Sequence, residues 1–186
     1  RTKKRDSQVR ITVFSPELFN SIDKAEGAFE PAGIDFEKDS ERKESARTFD
    51  FPCKRRMKVR IPVPEARLWS PEDPALYAFR IEAGEDVVDS YFAMRSFGVG
   101  KDDAGRTCLL LNGAPYFFHG VLDQGYWPES LMTAPADQAM VFDITQMKEL
   151  GFNMLRKHVK IEPARWYWHC DRIGMAVWQD MVNGGG

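Results

Sequence analysis

The sequence predicts a protein of two parts, an antiparallel β-sandwich followed by the opening of a parallel α/β domain. Three observations predict this fold class. Apolar and polar residues alternate with a period of two in the first half of the chain, which is the pattern of half-buried strands. From about residue 108, apolar strands instead alternate with amphipathic helices, which indicates a parallel sheet. The chain then ends in NGGG after three such strands, whereas an α/β barrel needs eight strand and helix units, so we expect a truncated second part.

The first half contains four candidate strands separated by polar turns. Their alternating apolar residues are Val9, Ile11 and Val13; Met57, Val59, Ile61 and Val63; Tyr77, Phe79 and Ile81; and those of the stretch 87–94, after a GED turn at 84–86. Short strands joined by polar turns, without helical periodicity, favour a sandwich. Residues 21–48 are rich in Glu, Lys, Asp and Ser, and we expect a solvated loop or an edge strand there.

The second half begins with LLLNG, a hairpin-like turn and a first strand, YFFHGV. A helix is predicted from about Pro135 to Leu150, because apolar residues form one stripe along it. The stripe consists of Met140, Val141, Ile144, Met147 and Leu150. Pro135 suits the first helical turn, Asp137 complements the positive end of the dipole, and Gly151 is the expected C-terminal stop.

A second strand, FNMLRKH, follows this helix, and a third strand, MAVWQD, comes after a second helix. The second helix should begin at Pro163 and stop at Gly174, because Trp166, Cys170 and Ile173 recur at helical spacing. The resulting β-α-β-α-β order predicts a parallel sheet with right-handed crossovers. His119 is expected to be buried in the first strand and His169 to lie on the surface of the second helix.

Composition narrows the possible partners. The chain has 26 basic and 28 acidic residues, so no overall field favours nucleic acid or an anionic membrane surface. No apolar run approaches the roughly 20 residues that span a bilayer, and the basic N-terminus has no apolar segment behind it. Localisation is therefore not predicted. The three cysteines, Cys53, Cys108 and Cys170, lack metal-like spacing, and we interpret them as packing residues.

Several segments in order resemble glycoside hydrolase family 2, which includes β-galactosidases, β-glucuronidases and β-mannosidases. The segments are LWSPEDPALY (68–77), RSFGV (95–99), LNGAPYFFHGV (111–121), MKELGFNMLRKH (147–158) and CDRIGMAVWQDM (170–181). The resemblance implies an immunoglobulin-like β-sandwich over residues 1–97. It also implies that residues 98–186 form the first three β-strands and two helices of a truncated (β/α)8 TIM barrel.

The resemblance implies part of a retaining β-glycosidase that hydrolyses O-glycosidic bonds of carbohydrates. Such an enzyme uses two carboxylates about 5 Å apart, which in the family are glutamates on later barrel strands, so no catalytic residue is expected in this chain. The isolated fragment is accordingly expected to be inactive. The alternative is a glycan- or protein-binding β-sandwich module with an α/β appendage and no catalysis.

Three segments depart from the family pattern. GVLDQGYWP (120–128) stands where many members read GVNRHEHHP, and RKHVKI stands where many read RTSHYP, so that His158 comes one residue before the family histidine. The ending WQD of the third strand resembles the mannosidase branch more than the galactosidase branch. These departures leave the sugar unassigned.

Arg156 and His158 are the first candidates for substrate binding. They lie two residues apart at the predicted end of a strand, where both should face the mouth of a barrel, the location of the active site. The family arginine falls on Arg156. A guanidinium offers a rigid fork of donors to a sugar hydroxyl or a carboxylate, and its charge can keep a carboxylate ionised. The structural alternatives are an ion pair for Arg156 and a hydrogen-bonded core position for His158.

Four further candidates are Asp123, Asp180, Trp127 and Trp178. The two aspartates end the first and third predicted strands, so we expect them at the same mouth, contacting sugar hydroxyls or supporting Arg156. The two tryptophans are placed to stack on a sugar ring, with core packing as the alternative.

No cofactor or resident metal is predicted, although a divalent cation near Asp180 would be compatible with the family. The predicted partner is a carbohydrate substrate, with no nucleic acid and no membrane. Self-association through the open sheet edge is also expected.

Overall fold

The computed structural model describes residues 8–16, 46–52 and 56–183. The chain forms two compact units. The first unit comprises residues 1–67 and 75–94, and the second unit comprises residues 68–74 and 95–186. Residues 21–45 of the predicted polar loop lie outside the described residues, as does Cys53.

The first unit contains an antiparallel sheet of four strands in the order β2-β1-β3-β4. The strands are β1 (Gln8–Phe14), β2 (Ala46–Pro52), β3 (Tyr77–Ala83) and β4 (Asp86–Phe92). The register places Ile11 opposite Phe49 on one side and Ile81 on the other. Three predicted strands are thus confirmed. Among the described residues the first unit shows this one sheet, so the two-sheet packing of a sandwich stays a prediction.

The prediction of a strand at 57–63 is wrong, although the predicted alternation of exposure is present. These residues run in no strand, although exposure still alternates along them and Ile61 and Val63 line an apolar groove of about 290 Å³ with the β1 residues Ile11 and Val13. The reason lies in the IPVPE stretch, because Pro62 and its neighbouring proline have no N–H to donate to a ladder.

The second unit contains an antiparallel sheet in the order β5-β6-β7. Its strands are β5 (Phe97–Lys101), β6 (Thr107–Leu111) and β7 (Ala114–Pro115). Asn112 and Gly113, which join β6 to β7, both have positive φ angles, 54° and 83°. An Asn-Gly pair with two positive φ angles is the preferred two-residue hairpin turn, which confirms the hairpin predicted from LLLNG.

A second sheet of this unit is parallel and has the order β10-β9-β8. Its elements are β8 (Gly120–Asp123), α1 (Asp137–Glu149), β9 (Met154–Lys157), α2 (Ala164–Ile173) and β10 (Ala176–Gln179). The predicted β-α-β-α-β order and the parallel pairing are confirmed. The first strand starts at Gly120 rather than Tyr116, because the preceding His119 N–H donates to the side-chain oxygen of Asn153 instead of joining a ladder. His119 is exposed, contrary to expectation.

The two helices pack on one face of the parallel sheet. The buried cluster consists of Met140, Ile144, Leu155, Trp166, Cys170 and Met175. The helix starts differ from the prediction, since α1 begins after Ala136 rather than at Pro135. Leu150, predicted to belong to the apolar stripe, is 68% exposed, because it lies beyond the last helical residue. Gly174 ends α2 in the left-handed conformation, as predicted.

Two polar side chains stabilise this helical layer. His169 is buried rather than on the surface, and its Nε2 lies 2.9 Å from a carboxylate oxygen of Asp137. The Lys148 ammonium donates to the carbonyls of Pro71, Ile173 and Gly174, so that it satisfies groups left without partners at the end of α2. Both contacts join segments that are far apart in sequence.

Neither described cysteine forms a disulfide. Cys170 is fully buried in the core cluster, and burial raises the pKa of its thiol well above the usual value. A thiol that stays protonated is a poor nucleophile, so Cys170 acts as a packing residue, as predicted.

Candidate functional site

The parallel sheet has one face covered by helices and one face free of them. In β9, Leu155 and Lys157 are buried on the helix-covered face, whereas Arg156 is exposed. Since side chains alternate along a strand, Arg156 lies on the helix-free face. The register places Leu122 of β8 and Trp178 of β10 on either side of it. These three side chains therefore form one row across the helix-free face, near the carboxyl ends of the strands.

Arg156 forms an ion pair with Asp180. Its Nε and Nη2 atoms both lie 2.9 Å from the same carboxylate oxygen, Oδ2. The Arg156 side chain is 52% exposed and that of Asp180 is 17% exposed, so the guanidinium still presents donors to solvent. Asp180 is held in turn by its N–H, which donates to the carbonyl of Lys157 at 3.0 Å. The pair offers a positioned donor fork beside a carboxylate, which suits a polyhydroxylated ligand.

His158 and Gln124 form a second polar pair, one residue beyond the ends of β9 and β8. The His158 N–H donates to the carbonyl of Asp123 at 2.9 Å, and its Nδ1 lies 3.0 Å from the Gln124 amide nitrogen. Gln124 is exposed and His158 is partly buried. Gln124 was absent from the sequence-based candidates because its partner comes from a different strand.

Asp123 occupies the opposite face from the one expected. The register aligns it with Lys157, and its Oδ2 accepts from the Lys157 ammonium at 2.7 Å, on the helix-covered side. Its other oxygen accepts from the N–H of Gly125 at 2.7 Å. Asp123 therefore does not lie on the same face as Arg156. Of the two aspartates, only Asp180 forms an ion pair with the Arg156 guanidinium.

The two candidate tryptophans differ in placement. Trp178 is 49% exposed and lines an apolar groove of about 340 Å³ on the helix-free side. The other residues lining the groove are Phe97, Gly98, Leu109, Leu110, Phe118, Met154, Ala176, Val177 and Gln179. Trp127 is partly buried in the loop after β8, where it forms a bridge with Leu131. Of the two, Trp178 is the tryptophan that lies beside Arg156 in the strand register.

A buried ionic cluster supports the strand ends from the helix-covered side. Lys157 is 1% exposed, and its ammonium lies 2.7 Å from Asp123, 2.9 Å from Glu162 and 4.3 Å from the centre of the Trp166 indole ring. The Glu162 side chain is 5% exposed and also pairs with Lys160 at 2.8 Å. Sequence reasoning missed Lys157 and Glu162. The alternation along β9 could have predicted that Lys157 is buried, because it lies two residues after the core residue Leu155.

The cluster also perturbs a nearby carboxyl group. Burial raises the pKa of Asp143 above its usual value, the Asp123 carboxylate raises it further, and Lys157 opposes both effects. Burial, together with the Asp123 carboxylate, therefore disfavours the charged form of Asp143.

Within residues 8–16, 46–52 and 56–183, no group of three or more His, Cys, Asp or Glu side chains is arranged to hold a metal ion. Asp180, considered for a cation, is instead paired with Arg156. Over the same residues, no helix has the length and apolar character to cross a bilayer.

Comparison with known proteins decides the family. Residues 3–99, slightly more than half of the chain, match the family model described as glycosyl hydrolases family 2. The chain belongs to glycosyl hydrolase family 2. The recognition based on the ordered sequence segments is thereby confirmed.

Two curated relatives of this family 2 chain are β-galactosidases. The enzyme of Pectobacterium atrosepticum is 34% identical over 125 residues, which cover 66% of this chain and 12% of the relative. The enzyme of Leuconostoc mesenteroides is 28% identical over 123 residues, which cover 63% of this chain and 11% of the relative. The matched part of the family 2 chain thus spans only about a tenth of these enzymes.

Solved structures show the same fold for the family 2 chain. Bacteroides uniformis β-glucuronidase 2, covalently bound to cyclophellitol-6-carboxylate aziridine, has a TM-score of 0.64 at 21% identity, over 95% of this chain and 19% of that one. The β-galacturonidase from Eisenbergiella tayi, bound to galacturonate, has a TM-score of 0.63 at 20% identity, over 95% and 27%. At these identities the likeness concerns the fold alone.

Proposed function

We propose that the full-length protein is a retaining β-glycosidase that hydrolyses O-glycosidic bonds of carbohydrates. In this proposal the chain supplies residues that contact the sugar, and the two catalytic glutamates lie elsewhere in the protein. Family membership supports hydrolysis of a glycosidic bond, and the ion pair of Arg156 and Asp180 is the single observation that carries the assignment of the site.

The proposal treats the second unit as the opening of a (β/α)8 barrel. Its support is the parallel order β8-β9-β10 with both helices on one face, which is how successive units of such a barrel are built. The helix-free face would then line the barrel interior. The carboxyl ends of the strands, where Arg156 and Asp180 lie, would form part of the active-site mouth.

Each candidate takes a role in this site. The Arg156 guanidinium would donate to a sugar hydroxyl or to a catalytic carboxylate, and its charge would lower the pKa of that carboxylate. Trp178, half exposed beside it, would stack on the apolar face of a sugar ring. His158 would contact a hydroxyl. Trp127, in the loop that follows β8, is a further proposed contact, whereas Asp123 supports the strand ends from the helix-covered face through Lys157.

The two aspartates do not serve as the catalytic pair in this proposal. A retaining mechanism needs a nucleophile and an acid/base about 5 Å apart on either side of the bond. Asp123 and Asp180 lie on opposite faces of the sheet, and they form ion pairs with Lys157 and Arg156, respectively. The 186-residue chain by itself is therefore expected to hydrolyse no aryl β-glycoside. Turnover by that chain, lost on Asp123→Ala or Asp180→Ala, would contradict this assignment.

Replacement of Arg156 in the full-length protein tests the proposal. Arg156→Lys keeps the charge but loses the planar fork, and it should lower kcat/KM for the preferred aryl β-glycoside by about 100-fold. Arg165→Lys is the matched control, because Arg165 is similarly exposed, at 46%, and pairs with Asp137 on the helical layer. Its kcat/KM should stay within about twofold of wild type.

Two results would overturn the proposed function. A full-length protein that binds glycans without hydrolysing any aryl β-glycoside would favour a binding module. Equal activity of the Arg156 and Arg165 variants would remove Arg156 from the site.

The same architecture supports self-association of the isolated chain. Among the described residues, β8 and β10 each pair with a single neighbour, β9, so each presents an open edge to a further strand. We expect light scattering of the 186-residue chain to give a mass above that of a monomer. A monodisperse monomer would count against this expectation.

A further inference from the structure

Gln124 begins the loop that joins β8 to α1, and Gly125 fixes this loop to the buried ionic cluster. The Gly125 N–H donates to Asp123 at 2.7 Å, and its carbonyl accepts from the Lys160 ammonium at 2.7 Å. Gly125 has a φ of +63°, and a β-carbon added there would contact Glu162 and would lie 2.7 Å from Lys160 Nζ. The backbone beside Gln124 is therefore held in a conformation that only glycine adopts without strain.

His158 begins the loop after β9, which is fixed in a similar way. Its N–H bonds to β8 through the carbonyl of Asp123, and its own strand residue Lys157 is the centre of the buried cluster. A few residues later, the Lys160 carbonyl accepts from the Gln179 side chain at 2.8 Å. Both loops thus rest on the same buried charges, and a rigid support of this kind is what a binding site requires.

The hydrogen bond between the two side chains determines which ring nitrogen of His158 carries the proton. An amide NH₂ group donates and does not accept, so the Gln124 nitrogen at 3.0 Å makes Nδ1 of His158 an acceptor. In a neutral imidazole the proton then resides on Nε2. Within the described part of the chain, Nε2 makes no hydrogen bond to another residue. An oriented N–H donor is left available at the carboxyl ends of the strands.

We propose that Gln124 and His158 form a hydroxyl-recognition pair, in which Gln124 orients the imidazole and His158 Nε2–H donates to one hydroxyl oxygen of the bound sugar. This inference rests on the proposed glycosidase function and assigns to this pair a part in choosing among sugars that differ at one hydroxyl. His158 is the contacting residue, and Gln124 is a positioning residue that acts through it.

The experiment compares, in the full-length protein, substrates whose sugars each differ from glucose at one carbon. The kcat/KM values of 4-nitrophenyl β-glucoside, β-galactoside, β-mannoside and β-glucuronide are measured for wild type, Gln124→Ala, His158→Phe and the double variant. A single lost hydrogen bond corresponds to about a tenfold loss. His158→Phe should show it for the substrates that carry the recognised hydroxyl in the recognised orientation, and less than about twofold for a sugar in which that hydroxyl is inverted or replaced. Gln124→Ala should change the same ratio, and the double variant should be no worse than His158→Phe.

Gln146→Ala provides the matched control, because Gln146 lies on α1 and bonds to Glu149 away from the strand ends. It should leave all ratios unchanged. An equal loss on all four substrates, unchanged ratios, or additive losses in the double variant would overturn the proposed pair. Absence of hydrolysis by the wild-type protein on every substrate would instead overturn the proposed function, so the two failures are distinguishable.

Discussion

Replacing Lys157 with methionine should destabilise the second unit, whereas replacing its neighbour Arg156 should not. The two residues are adjacent in β9 but lie on opposite faces of the sheet. Lys157 is 1% exposed and lies within 2.9 Å of two carboxylates. Arg156 is 52% exposed and makes one ion pair. Methionine preserves much of the lysine stem, so the change removes mainly the charge.

The expected magnitude follows from the groups left behind. Removing one partner of a buried ion pair costs about 3–5 kcal/mol, because the remaining charge has neither water nor a counterion. Here Glu162 keeps Lys160 at 2.8 Å, and Asp123 is 25% exposed. Both features reduce the cost, so we expect the lower end, about 3 kcal/mol. Arg156→Met should cost about 0–1 kcal/mol, as exposed ion pairs do.

Urea unfolding followed by tryptophan fluorescence measures this difference in the second unit specifically. All five tryptophans of the chain lie in that unit, and the Trp166 ring contacts the Lys157 ammonium directly. With a urea dependence of about 2 kcal/mol per molar, Lys157→Met should lower the midpoint by about 1.5 M. Arg156→Met should lower it by about 0.5 M at most.

The reasoning is refuted if Lys157→Met shifts the midpoint no more than Arg156→Met does. A Glu162→Gln variant strengthens the test, since its effect should be smaller in the Lys157→Met background than in wild type. Independent, additive effects would mean that these charges do not form one cluster.

Three further predictions concern the second unit. The folded-state pKa of Asp143 is raised by burial and further by Asp123, so its contribution to stability is present below the unfolded pKa and is lost as pH rises through the folded pKa. Asp143→Asn should therefore raise the thermal midpoint at pH 7, and a gain that failed to shrink toward pH 4 would contradict this. Gly125→Ala should lower the free energy of unfolding in urea by at least about 2 kcal/mol, because backbone strain adds to the clash of the new β-carbon with Glu162 and Lys160. Gly105→Ala, at a φ of +74° with open space around it, should lower it by only about 1 kcal/mol. Equal losses for the two variants would mean that the clash contributes nothing. Lys148→Met should lower the free energy of unfolding by about 2 kcal/mol in the same assay, since three carbonyl groups lose their hydrogen-bond donor. An unchanged urea midpoint would mean that water replaces the ammonium.

Periodicity predicted the elements wherever local pattern and tertiary packing agree. Strand β1, strand β3 and the alternation of strands and helices after residue 108 were all predicted from apolar phase. The failure at 57–63 is instructive, because exposure still alternates there although Pro62 and its neighbour prevent a ladder. Alternation reports which side chains face the core, whereas a strand also requires backbone donors.

The candidate site was predicted in part, and its errors have a common cause. Arg156 and His158 were placed together at a barrel mouth from their spacing at a strand end, and the structure puts Arg156 on the helix-free face of the parallel sheet. Asp123 was assigned to the same face from its position at a strand end, yet it is in phase with Val121, which packs against the helix-covered core. The period of two therefore contained the correct answer for Asp123 and for Lys157.

The sequence by itself determined the order of strands and helices after residue 108, the parallel pairing and the family, because these follow from local periodicity and from short ordered motifs. Only the tertiary structure decided the partners: Asp180 for Arg156, Gln124 for His158, and Asp123 with Glu162 for Lys157. The physical reason is that an ion pair or a hydrogen bond depends on distances of about 3 Å. Strand register and loop conformation set such distances between residues as far as 34 positions apart, and no local pattern encodes them.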